Sequence, residues 1–311
     1  MKSNKLSVIL PIYNGMPYLK DAIFSLLDQT FQDFIIYAID NGSTDGTREY
    51  LRQLSNEKIT YIELQEKNLV NALNTGLEVA TSPFIARMDA DDIIHPKKFE
   101  KQMKYLEENQ DVDLIGTIGQ YISSNGKKYF NFNLPLSHDE IIETMIKKKN
   151  AIIHASIMFR SKIISLYGNY NNEFFPCEDY ELFLRIGDKI KFANIPERLY
   201  SFRVREGSIM TTHFNKSLKL YHLISKLYAH KYSNHHIAIE QPENIHLNVF
   251  EKLDVLSVSI YRKGLNYYLN VNSFIGILYL IIASIINPSR LINAIKRRIT
   301  LKSKIKNSLI S

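Results

Sequence analysis

A single cysteine in 311 residues, Cys177, excludes a disulfide framework and any zinc site built on thiolates, and it fits a reducing cytoplasm. No apolar stretch near Met1 is long enough for the core of an export signal. Leu6-Ser7-Val8-Ile9-Leu10 runs only as far as Pro11, so secretion is not expected. Neither an internal repeat nor a low-complexity linker breaks the chain. The apolar run Phe274 to Ile286, interrupted by Gly276 and Ser284, is shorter than the ~20 residues a membrane-spanning helix needs. Acidic residues stop at Asp254. From 255 to 311 there are nine basic residues (Arg262, Lys263, Arg290, Lys296, Arg297, Arg298, Lys302, Lys304, Lys306) and no Asp or Glu. Setting these aside leaves 30 basic against 32 acidic residues, so the net +7 belongs to the tail and a nucleic-acid-binding core is not supported.

What is present reads as an α/β chain. Short apolar strands near 6–10, 34–40, 59–63 and 83–88 alternate with helical patterns near 17–28, 45–54 and 69–80, the order that builds a parallel sheet with crossover helices. Such sheets bind ligands beyond the carboxyl ends of their strands. Three of those ends are polar here: Pro11-Ile12-Tyr13-Asn14-Gly15, Asp40-Asn41-Gly42-Ser43-Thr44-Asp45-Gly46, and Asp89-Ala90-Asp91-Asp92. The last places three carboxylates at one strand end, where they repel one another unless a cation compensates. Clustered hard oxygen ligands suit Mg²⁺ or Mn²⁺ holding a diphosphate. Taken alone, the same acids could cap the helix that starts near Pro96.

A helix is expected at 96–109, then strands at 112–122, 128–133, 151–160 and 190–205. Ser137-His138-Asp139-Glu140 has the form of a capping box opening a short helix that ends in Lys147-Lys148-Lys149. From about 213 the pattern is helical.

Ser7 to Gly15, Gln29-Thr30-Phe31, Asp40 to Thr47 and Ala86 to Asp92 together resemble the family 2 glycosyltransferases, in that family's order and spacing over roughly residues 5–210. The resemblance implies the GT-A fold, a Rossmann-like, mostly parallel sheet with helices on both faces, here with a helical C-terminal tail. It implies a domain over 1–212, with nucleotide-sugar binding in 1–100 and the acceptor half in 101–212, followed by a basic tail over 213–311. It also implies roles. Pro11 ends the first strand so that Tyr13 and Asn14 line the base pocket, and Asp40 accepts from the ring N–H of uracil. Asp89 meets the ribose, Asp91 binds the metal, and Asp92 stands behind them or caps a helix. Asn41 replaces the second Asp usual in the family, and Val70 stands where the family has Gly two residues after Asn68. Asn74 and Gly76 follow the usual pattern.

In the acceptor half, Cys177-Glu178-Asp179-Tyr180 resembles the family's Glu-Asp segment at a helix start. Inverting transfer by single displacement needs one base for the acceptor hydroxyl; Asp179 takes that role, with Glu178 as the second candidate. Both acids would also suit a helix dipole. His154, in the apolar strand before Met158, fits a hydrogen-bonded structural residue as well as an acceptor contact and stays unassigned. Cys177 reads as packing. Many relatives have His where Arg205 stands. A guanidinium cannot ligate a metal but can neutralise phosphate, so Arg203 and Arg205 are clamp candidates or, equally, a solvated strand edge.

The expected activity is metal-assisted, inverting transfer from a nucleotide sugar, with UDP as the expected nucleotide, to a glycan or lipid-linked hydroxyl in surface polysaccharide synthesis. The enzyme would be cytoplasmic and peripheral on the inner face of the cell membrane. There the apolar run and its cationic flank would engage anionic lipid, unless the run packs on the catalytic domain. A nucleotidyltransferase would also use acids and a metal, but would carry a Gly-rich loop with a basic residue after the first strand, which Pro11-Ile12-Tyr13-Asn14-Gly15 is not. An inactive peripheral membrane protein of the same fold is the remaining alternative.

Overall fold

A computed structural model describes residues 4–147, 150–205, 212–232 and 249–288. Its first part alternates as the sequence suggests: β1 (Leu6–Ile12), α1 (Leu19–Leu27), β2 (Phe34–Asn41), α2 (Thr47–Gln53), β3 (Ile59–Leu64), α3 (Leu69–Val79) and β4 (Phe84–Arg87). Then follow β5 (Ile93–Ile94), α4 (Lys98–Glu108), β6 (Leu114–Ile122), β7 (Lys128–Phe132), α5 (His138–Ile146), β8 (Met158–Arg160), α6 (Lys162–Tyr167), α7 (Glu178–Ile186) and β9 (Phe192–Arg203). The chain continues helical through α8 (Phe214–Tyr232), α9 (Val249–Asn266), a π-turn over Tyr267–Val271, and α10 (Ser273–Ile286).

The strands form one sheet in the order β3-β2-β1-β4-β8-β6-β9-β5, with β7 paired to β6. β1, β2, β3 and β4 are mutually parallel, while β8 runs antiparallel to β4 and β6. β1 is buried on both faces, so its sequence is apolar on both sides of the pleat apart from Ser7, whose hydroxyl bonds Ser82 at 2.9 Å. Leu6, Val8, Leu10 and Ile12 join a core with Leu19, Ile23 and Leu26 of α1 and Phe99, Met103 and Leu106 of α4. Ile9 points the other way, against α3. A Cβ added at Gly76 would lie 2.5 Å from Ile9 Cγ2 and 2.8 Å from Ile39 Cδ1, so only glycine lets this helix sit so close to the sheet. Helices therefore cover both faces.

Three local expectations differ. Pro11 lies inside β1 rather than ending it. The Ile9 carbonyl accepts from Met88 N–H, so Ile9 and, two residues on, Pro11 turn their polar groups toward β4. The β1–β4 ladder stops at Ile9↔Arg87, so the missing proline N–H costs no ladder bond. The strand expected at 151–160 is reduced to β8, because His154–Ser156 winds into a 3₁₀ turn and the Ser156 hydroxyl bonds back to Ile153 carbonyl at 2.9 Å. Ser137 makes no side-chain cap to α5, although Glu140 reaches back to Leu136 N–H at 3.3 Å. Lys148 and Lys149 lie outside the described residues, as do residues 206–211.

Two compact units can be separated. Among the described residues one holds 4–121, 130–203 and 220–232, and the other holds 122–129, 204–219 and 249–288. The division thus follows packing instead of a single boundary near 212, since the latter part of α8 belongs with the sheet. Tyr228 donates to Glu181 Oε1 at 2.7 Å and Ser225 to Ile146 carbonyl at 2.9 Å.

Candidate functional site

The loops after β1 and β2 are laced together. Asn14, in the left-handed region at φ 48°, donates its N–H to the Ser43 hydroxyl at 2.9 Å, and its side-chain oxygen accepts from Thr44 N–H at 2.8 Å. Gly15 N–H reaches Thr47 Oγ1 at 2.9 Å and Met16 N–H reaches Asp45 at 3.0 Å. Tyr13 is half-buried with the Lys67 ammonium 3.9 Å from its ring centre. Asp40 stands at the end of β2 as expected, but its carboxylate has no exposed surface. It accepts from Ser43 N–H at 3.0 Å and pairs with Arg48 Nε at 2.6 Å. A direct contact to a base ring would require that pair to open; as it stands, Asp40 shapes the loop. Asn41 does likewise, accepting Asn68 N–H at 2.7 Å.

Beyond β4 the ligand oxygens of Asp89, Asp91 and Asp92 lie within 4.8 Å of one another. Asp89 and Asp91 are partly exposed and Asp92 is buried, a donor set of hard oxygens that fits Mg²⁺ or Mn²⁺, which the two accessible acids would hold. Asp92 stands behind them. It accepts from the Tyr200 hydroxyl and from Arg203 N–H at 2.7 Å, and burial, then Asp91 and Asp89, pushes its carboxyl well above the usual range. Pairing of Ile93 and Ile94 with Ser201 and Tyr200 brings β9 alongside this loop.

Arg203 is placed differently from an open phosphate clamp. Its side chain is 1% exposed, its Nε donates to Asp91 carbonyl at 2.7 Å, its NH2 meets Asp21 at 3.3 Å, and it stacks 4.7 Å from the Tyr18 ring centre. It braces the acidic loop from beneath. Arg205 is half-buried and belongs to the other compact unit.

Glu178 and Asp179 open α7, and both feel Asp89. Glu178 is 4% exposed, with Oε2 buried and unpartnered; burial, then the neighbouring Asp179, pushes its carboxyl up to about 8. Asp179 is more open. Burial raises its carboxyl too, while the N–H of Tyr180, at 2.7 Å, and the Arg87 guanidinium oppose the rise. His154 lies behind it, with Nδ1 3.9 Å from Asp179 Oδ2 and Nε2 2.8 Å from the Tyr170 hydroxyl. Burial and then Arg87 hold this imidazole well below its ordinary pKa, so it is neutral.

Sequence reasoning missed Arg87. It is buried at the end of β4, 2.7 Å from Asp89; burial alone would lower its pKa, but Asp89, with Tyr200 and Tyr170, more than offsets that and the guanidinium stays charged. A lone cation closing an apolar strand just before three acids was the available signal. Tyr170, Tyr200 and the clasp of Asn74 on Tyr170, through its N–H at 3.1 Å and carbonyl at 2.9 Å, had none.

Residues 7–167 match the model of glycosyl transferase family 2. An uncharacterized glycosyltransferase of Methanocaldococcus jannaschii is 32% identical over 206 residues, 64% of this chain and 70% of that one. The amylovoran biosynthesis glycosyltransferase AmsE of Erwinia amylovora is 34% identical over 212 residues, 66% of this chain and 77% of that one. In fold, the chain resembles the mannosyltransferase PcManGT of Pyrobaculum calidifontis in complex with GDP-Man and Mn²⁺ (TM-score 0.57, 15% identity, 97% of this chain and 81% of that one). It also resembles S. aureus TarS 1-349 in complex with UDP-GlcNAc (TM-score 0.56, 19% identity, 90% and 79%). The expected GT-A architecture is thus the one observed, and with the family match running from β1 through β8, the chain belongs to the family 2 glycosyltransferases.

Proposed function

We propose that the protein transfers a sugar, with inversion, from a nucleotide sugar to a hydroxyl of a glycan or lipid-linked acceptor in surface polysaccharide synthesis, at the inner face of the cell membrane. The observation that carries this is Arg87. One buried guanidinium pairs with Asp89 of the donor-side cluster and also acts electrostatically on Glu178 and Asp179, so two acidic groups with different tasks share one site.

The division of labour follows from their surroundings. Asp179, the more exposed and better hydrogen-bonded acid, takes the acceptor proton as that oxygen attacks the anomeric carbon. The bond from that carbon to the diphosphate breaks with its electrons, and the nucleoside diphosphate leaves. Glu178, buried and protonated at neutral pH, donates a hydrogen bond to a sugar oxygen. Asp91, with Asp89 beside it, would hold Mn²⁺ or Mg²⁺, which when bound offsets the charge of the diphosphate. Tyr13 and Asn14 face the nucleotide, Pro11 and Asp40 set the loops that present them, and Asp89 also meets the ribose. Arg203 positions the acidic loop.

PcManGT was solved with a GDP sugar and TarS with a UDP sugar, so both nucleotides belong in the donor panel, with UDP the expected one. The test is nucleotide release from that panel with Mn²⁺ and a glycan acceptor, followed by NMR assignment of the product anomer. Release of pyrophosphate in place of nucleoside diphosphate would mean a nucleotidyltransferase, and no release from any donor would mean an inactive protein. Either result, or a retained anomer, overturns the corresponding part of the reading.

A further inference from the structure

Helix α10 packs one side and bares the other. Gly276 and Ala283, seven residues apart, are its buried positions. A Cβ at Gly276 would lie 2.4 Å from Tyr268 N, and the Ala283 carbonyl accepts the Ser257 hydroxyl of α9 at 2.8 Å. Opposite that seam Phe274, Leu278, Ile281 and Ile285 recur at helical spacing and are 70%, 45%, 51% and 72% exposed. Val249 and Phe250 of α9 add side chains 70% and 83% exposed. No charged residue interrupts α10, whose polar groups are limited to two serines and a tyrosine. Its 14 residues span ~21 Å, less than the ~30 Å of a hydrocarbon core, and no described helix is long and apolar enough to cross a membrane.

We propose that the α9–α10 hairpin is a docking surface for an anionic lipid bilayer, with α10 lying in the plane of the interface and its Phe274–Ile285 face below the headgroups. This rests on, and gives a surface to, the membrane-directed part of the reading above. Charge complementarity selects the partner. The stretch from 255 to the C-terminus carries nine basic and no acidic residues, seven of the nine following α10 in the sequence and lying outside the described residues. An apolar face adjoining cationic sequence favours a surface that is both greasy and negative over one that is only greasy. Unlike a spanning helix, this arrangement leaves the protein extractable by alkali.

The test is co-sedimentation of the full-length chain with vesicles of phosphatidylcholine, alone or mixed with phosphatidylglycerol, at low and high salt. Binding is expected to the mixed vesicles and to weaken, without vanishing, as salt rises, because apolar contacts are not screened. F274E and I281E should each lower the partition coefficient about tenfold or more, as loss of one buried apolar side chain would. L166E, at a residue 64% exposed on α6, should leave it unchanged. I285E, near the helix end, repeats the test should either central variant lose helicity by circular dichroism. A chain that ignores both vesicle types overturns the proposal. So does equal loss with L166E, or a dimer that F274E dissociates without any vesicle binding. Nucleotide release, assayed apart with a soluble acceptor, keeps the outcomes separate: binding without turnover sinks only the enzymatic reading, and turnover without binding sinks only the docking surface.

Discussion

Replacing Glu178 by Gln exchanges a carboxyl for a neutral amide of nearly the same size, and the surroundings of Glu178 fix what should follow. The side chain is 4% exposed, one oxygen has no partner, and burial together with Asp179 raises the carboxyl from 4.5 to about 8. Between those values the folded chain keeps a proton that the unfolded chain has released. Folding stability therefore falls as pH rises through that window and levels off above it, by up to about 5 kcal/mol at ~1.4 kcal/mol per pH unit. The amide cannot ionise, so E178Q should overtake the wild type in urea-derived stability as pH climbs from 5 to 9, with a difference of several kcal/mol between the two ends. In kinetics, a wild type that needs protonated Glu178 should lose kcat above pH 8, and E178Q should hold its rate there while staying within about tenfold at pH 7. Parallel stability profiles would refute the buried, protonated state. An E178Q enzyme as dead at pH 7 as one lacking Asp179 would make Glu178 the ionised base.

Asp179→Asn should lower kcat by roughly 10²–10⁴-fold with donor affinity little changed, measured by nucleotide release and by titration of donor; lost affinity at normal kcat would make it a binding residue. Asp91→Asn should abolish transfer while circular dichroism stays native, and excess chelator should silence the wild type until Mn²⁺ or Mg²⁺ is restored; undiminished turnover in chelator would remove the metal from the scheme. Lys98 is fully buried, its ammonium partnerless beside the Phe99 ring, and burial lowers it to about 7. Between pH 7 and 10.5 the unfolded chain binds a proton that the folded chain does not, so stability rises with pH there. Lys98→Met should flatten that rise and add a few kcal/mol at pH 7 in denaturant titration.

What the sequence disclosed was local and periodic. Alternating apolar runs located β1 to β4 and α1 to α4 to within about two residues, and the polar clusters at three strand ends located the candidate site. Interactions between distant parts of the chain had no such signature. Tyr200 reaches Asp92 across 108 positions, Arg203 reaches Asp21 across 182, and His154 meets Asp179 only through tertiary packing. Arg203 illustrates the difference. A basic residue at a strand end reads as a ligand for phosphate until the fold is known to turn it inward onto a carbonyl. Asp40 is the same lesson with the sign reversed, since its neutralising partner Arg48 sits on the following helix, where it reads as an ordinary surface residue.

The clasp of Asn74 on the backbone of Tyr170 bears on how such enzymes can be recombined. One side-chain amide of α3 grips both polar groups of a residue 96 positions away, immediately ahead of the segment that leads to Glu178 and Asp179. Donor-side and acceptor-side halves are therefore not interchangeable cassettes. A chimaera joined between them inherits a working junction only if the incoming α3 supplies an amide at 74 and the helix lies as close to the sheet as Gly76 allows. Diversification of acceptor choice would then have to proceed largely by substitution within the second half, with the seam itself kept fixed.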